Sequence, residues 1–138
     1  MHTDKDIHTH THTHTGYNSL DIPIFTKTYE FYKQLTQSIT AFPKTKRYTL
    51  GQKLDNITLG IFELLISVPN TNNKTETLYK ISNKVDLLKI LLRLAKDTQG
   101  LTNKNYLELQ EMLQEIGKML GGWIRATKQS LPSNKSSY

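Results

Sequence analysis

Four imidazoles stand at every second position near the N-terminus: His8, His10, His12 and His14, alternating with threonine. In an extended chain that period puts all four on one side, where they could share a borderline cation. Metal centres hold their ligands with a second layer of hydrogen-bonding partners, and this tract brings none with it. It therefore reads as a low-complexity tail over residues 1–20, with no metal site assigned. Glu111 and Glu115 are the other arrangement that suggests chemistry. Spaced four apart on a helix, two carboxylates share a face, as acid–base work would need. Glu108 joins them there, and three carboxylates on a polar face describe a solvated surface.

Other catalytic patterns are absent. All five histidines lie within residues 1–14 and there is no cysteine. A Glu-x-x-His di-iron set, an axial histidine for haem, a thiolate metal site and a cysteine nucleophile are thereby excluded. No Walker loop, G-x-S-x-G elbow or H-E-x-x-H occurs. The chain reads as a non-enzyme without a cofactor.

Positive charge is the remaining functional signal. The formal net charge is +6, and residues 1–20 hold one lysine and two aspartates, so the rest carries 17 basic against 10 acidic residues. That excess of +7 favours a polyanionic partner, held by counterion release. Lys44, Lys46, Arg47 and Lys53 form one cluster, at a turn and the helix start after it. Cations there oppose the helix dipole, so they do not stabilise the helix. Lys89, Arg93 and Lys96 form a second cluster on one side of a later helix. A solvated basic face is the competing reading of both.

The elements that position these residues are four amphipathic helices. The first runs from about Ile22 to Phe42, with Asp21 as N-cap and Phe25, Tyr29, Tyr32, Leu35 and Ile39 as its stripe. The second follows Pro43 with Leu50, Leu54, Ile57, Ile61, Leu64, Leu65 and Val68; Leu59, Phe62 and Ile66 lie roughly opposite. The third spans about Glu76 to Thr98, with Leu78, Ile81, Val85, Leu88, Leu92 and Ala95 inward, and Gly100 as its C-cap. It carries a further apolar face of Leu87, Ile90, Leu91 and Leu94. The fourth, capped by Thr102, holds Tyr106, Leu109, Leu113, Ile116, Leu120, Trp123 and Ile124 on one side. Its Gly117 and Gly121 point to close approach of a neighbouring helix. Short loops between such helices predict an all-α, antiparallel up-down-up-down four-helix bundle over residues 21–128, with a disordered tail over 129–138. The second apolar faces (Leu59, Phe62, Ile66, and Leu87, Ile90, Leu91, Leu94) predict a homo-oligomer interface. No run of about 18 apolar residues predicts a membrane span. The lack of cysteine and of an apolar leader suits the cytoplasm.

Four stretches together resemble one family: FPKTKRYTLGQKLDNI (Phe42–Ile57), LLRLAKD (Leu91–Asp97), LTNKNY (Leu101–Tyr106) and EIGKMLGGWIR (Glu115–Arg125). They are similar to the accessory variability determinant proteins of diversity-generating retroelements. That family is grouped with the four-helix-bundle proteins encoded in intervening sequences of bacterial large-subunit rRNA genes. The resemblance covers about residues 20–128. It implies a homopentameric barrel of bundles that binds RNA or other nucleic acid without catalysis. It further implies a reverse transcriptase as partner in cDNA synthesis during mutagenic retrohoming. A structural oligomer of the intervening-sequence type, with another nucleic-acid partner or none, is the alternative.

Overall fold

The computed structural model describes residues 22–130. Four long helices make up most of it: α1 Pro23–Thr40, α2 Gln52–Ser67, α3 Lys74–Asp97 and α4 Asn103–Gln129. A helical turn, Lys44–Lys46, and a π-helical turn, Arg47–Gly51, lead into α2; a 3₁₀ turn, Val68–Asn70, follows it. Each long helix packs on the next, and α1 packs on α4, so the four enclose one core. The described chain is an all-helical bundle. The tail expected over residues 1–20, residues 131–138 of the tail expected over 129–138, and Asp21 lie outside the described residues; Gln129, expected in that tail, is the last residue of α4 and Ser130 its C-cap.

The core stripes of three helices fall where the periodicity places them. Leu54, Ile57, Ile61, Leu65 and Val68 are buried in and just after α2; Leu78, Ile81, Val85, Leu88, Leu92 and Ala95 in α3; Leu109, Leu113, Ile116, Leu120 and Ile124 in α4. Leu50, Leu64, Tyr106 and Trp123 are partly buried against them. On α1 the expected stripe is rotated. The buried positions are Ile24, Thr28, Phe31, Leu35 and Ser38, while Tyr29 is 49% exposed. Thr28 enters the core because its hydroxyl donates to the Ile24 carbonyl at 2.8 Å, leaving only its methyl to be packed. Phe25 and Tyr32 sit instead on the shoulder toward α2. There the Phe62 ring meets Phe25 at 5.3 Å and Tyr32, edge-on, at 6.1 Å between centroids.

Helix ends follow local chemistry. Ile22, not Asp21, takes the N-cap position of α1 without a side-chain bond, and Pro23 has no N–H to satisfy there. Asn73 and Thr102 cap α3 and α4 by accepting from the backbone N–H of Glu76 and Asn105; such a cap contributes about 1 kcal/mol. The C-terminus of α3 departs from expectation. The left-handed residue is Gln99 (φ 64°), not Gly100. Gly100 N–H donates to the Ala95 carbonyl and Gln99 N–H to that of Lys96, the paired bonds of a Schellman turn with glycine one place later than usual. Gly117 and Gly121 also differ from expectation. Among the described residues, a Cβ at either would meet only the ends of Lys89 and Arg125, and α4 continues past both to Gln129.

Polar pairs tie the helices together at their surfaces. Lys27 binds Glu115 at 2.9 Å, and Gln34 donates to Glu108 at 2.7 Å. Tyr32 donates its hydroxyl to Asp55 at 2.7 Å. The bond to Asp55, then burial, raises the Tyr32 phenol above its ordinary value of 10.0, and the Glu115 contact raises Lys27 above 10.5. Both shifts favour the protonated form in the folded state. Their stabilisation is complete below the ordinary values and is lost as pH climbs through the raised ones. Melting temperature followed by circular dichroism should stay level between pH 8 and about pH 10 on account of these groups and fall above it. Tyr32→Phe should make that alkaline fall shallower; an unchanged fall would dissociate it from Tyr32.

Candidate nucleic-acid interface

Pro43 breaks from α1 in an extended conformation (φ −55°, ψ 149°), and the chain turns helical again at Lys44. This start has no side-chain cap and no acidic residue in its first turn. Lys44 and Lys53 are exposed and Lys46 half-buried, and among the described residues no carboxylate is paired with any of them. Arg47 is tied down. Its Nη2 donates to the Phe42 carbonyl at 3.2 Å, its guanidinium lies 5.9 Å from the Tyr48 ring centre, and its Nε is buried without a partner. Arg47 therefore serves the fold as well as the surface charge.

Gly51 closes the π turn where α1 comes close. A Cβ there would stand 2.8 Å from the Ile39 Cγ2, so only glycine lets the start of α2 lie against the end of α1 without displacement. Phe42 lies beside both Gly51 and Gly100, which brings the two connections, after α1 and after α3, to one end of the bundle.

The second cluster divides. Lys96 reaches the same end, where it lines a groove of about 460 Å³ with Ala41 and Gly100. Its ammonium lies 4.8 Å from the Tyr106 ring centre. Arg93 pairs with Asp97 at 3.6 Å, and Lys96 lies 4.0 Å from the same carboxylate, so Asp97 offsets part of this cluster's charge. Lys89 lies almost two turns further along α3, its ammonium 3.9 Å from where a Gly117 Cβ would be. The structure thus joins Lys44, Lys46, Arg47 and Lys96 at one end and leaves Lys89 apart.

A family model described as bAvd-like matches residues 23–127. The chain belongs to that family. No curated protein matches the chain. The bAvd-like match takes in α1 to α3, α4 up to Thr127, both basic clusters and every apolar residue expected at an interface. Among those residues Leu59, Ile66, Leu87, Ile90 and Leu94 are exposed. Leu91 packs partly on the core, and Phe62 is half-buried against Phe25 and Tyr32. Tyr48, which sequence reasoning did not single out, is 62% exposed amid the first basic cluster of this bAvd-like chain and lies in the π turn.

Among the described residues, no cluster of histidine, aspartate and glutamate could hold a metal ion, and no helix is long and apolar enough to cross a membrane.

Proposed function

We propose that this chain is a non-catalytic, cytoplasmic accessory protein of a diversity-generating retroelement. It binds RNA or other nucleic acid at the Phe42 end of the bundle and works with a reverse transcriptase in cDNA synthesis. The observation that carries the nucleic-acid reading is the run Lys44, Lys46 and Lys53, cations without a paired carboxylate among the described residues, two of them in a helical first turn whose dipole would prefer acids. Phosphates at that end supply the missing negative charge.

The bundle is read as up-down-up-down. Lys27 with Glu115 and Gln34 with Glu108 advance in opposite senses along α1 and α4, as do Phe25 with Phe62 and Tyr32 with Asp55 along α1 and α2. Tyr79 with Lys128 and Lys96 with Tyr106 do so along α3 and α4. Two different apolar faces then remain outside. Tyr29, Leu59 and Ile66 flank the α1–α2 seam, and Leu87, Ile90 and Leu94 lie on α3 away from the core. Unlike faces on one protomer suit head-to-tail contact, which closes into a ring such as a pentamer.

Binding of a labelled structured RNA should fall steeply with salt and depend little on sequence. Charge reversal of Lys44, Lys46 and Lys53 together should weaken binding and lower the salt slope by about 0.7–0.9 for each phosphate no longer neutralised, with helicity unchanged. Arg47 is left in place because of its bond to Phe42. An unaltered slope would remove this end as the binding surface.

A further inference from the structure

We infer that the Phe42 end takes single-stranded nucleic acid, with one unpaired base stacked on Tyr48. This rests on the nucleic-acid reading above and adds the class of ligand. Four observations meet at the π turn. Tyr48 is 62% exposed, the most of the exposed aromatic rings among the described residues, so its ring is open to a ligand. Arg47, held by the Phe42 carbonyl, lies 5.9 Å from that ring's centre and limits its freedom to swing. Lys44 stands one helical turn before Tyr48, with Lys46 between them. Beside the ring lies an open recess of about 270 Å³, lined by Ile39, Gly51, Gln52, Asp55 and Arg47 among others.

The charges distinguish base from phosphate. Arg47 and Asp55 both line the recess, and Asp55 also accepts from Tyr32, so their charges offset and a phosphate gains no net cation there. A flat uncharged ring needs none, and Gln52 and Asp55 offer it hydrogen-bonding groups at the edge. The phosphates on either side are left to Lys44 and Lys46. A duplex keeps its bases stacked within the helix and can satisfy the lysines but not the ring. The recess and Tyr48 therefore favour unpaired strands, whatever their sequence, because every base has a face to stack.

The test compares full-length wild type, Tyr48→Ala and Tyr48→Phe on two labelled probes: an oligouridylate of about 20 nucleotides and a blunt RNA duplex of about that length. Anisotropy titrations are run at several salt concentrations. Tyr48→Ala should lose at least about 5-fold in affinity for oligouridylate, with an unchanged salt slope and unchanged duplex binding. Tyr48→Phe should bind within about twofold of wild type, because the ring is kept. The inference is overturned if Tyr48→Ala binds oligouridylate as wild type does. It is also overturned if the loss is equal on the duplex, or if Tyr48→Phe falls as far as Tyr48→Ala. Wild type binding oligouridylate steeply with salt while Tyr48→Ala matches it sinks the stacking role alone. Wild type binding neither probe sinks the nucleic-acid reading with it.

Discussion

Phe42→Ala should lower the unfolding free energy by about 3–5 kcal/mol, a large part of what holds a domain of this size together. Phe42 is 2% exposed although it belongs to none of the four long helices. Its ring stands beside Gly51 and Gly100, so it plugs the end of the bundle between the two connections. Glycines have no side chains to swing into the space a truncation leaves. The cavity therefore stays open, and the cost belongs toward the upper part of that range. Urea denaturation should show a lower midpoint with an unchanged m-value. A loss below about 1 kcal/mol would mean that the end collapses around the gap.

Ile90→Glu combined with Leu94→Glu should reduce the proposed homo-oligomer to monomers of 15.9 kDa while leaving helicity and melting of the protomer intact. Ile90 is 65% and Leu94 47% exposed in the single chain, so carboxylates there are solvated in the monomer and would be buried only in the proposed contact. Burying two unpaired carboxylates in an apolar contact costs several kcal/mol per interface, enough to dissociate a ring that repeats the contact. Light scattering decides it. A wild type that stays monomeric on concentration, or a double variant that assembles normally, would remove α3 as an interface. Leu91 and Phe62 make poorer tests. Leu91 packs on the core and Phe62 on two aromatic rings of α1, so glutamate at either would damage the protomer itself.

The fold was legible where apolar residues alone mark the buried face. On α3, six aliphatic residues at helical spacing named the core without error. On α1 they did not, because Thr28 hides its hydroxyl against its own helix and competes with aromatic residues for the interior. Phe25 and Tyr32 then settle on the shoulder, where flat rings fit between helices. The turn after α3 misled for a similar reason. Glycine marks left-handed backbone by default, yet Gln99 takes that conformation and Gly100 supplies the N–H that closes the motif. At the candidate site, the clustering of lysines was visible in the sequence. The part neutralisation by Asp97 was visible too, in its i,i+4 spacing from Arg93. The anchoring of Arg47 and the exposure of Tyr48 were not, since both depend on how the helix is rotated after Pro43.

The π turn Arg47–Gly51 sets that rotation. Its i→i+5 bonds hold one residue more than an α-turn, so everything before it is offset by about 100° around the axis relative to the stripe beginning at Leu54. The wide turn acts as a phase shifter between two halves of one helix, the later half bound to the core and the earlier half aimed by the offset. Spacing counted across it gives the wrong neighbours for Lys44 and Lys46. A relative one residue shorter in this segment would keep the same core and the same lysines yet aim them at a different side of the bundle.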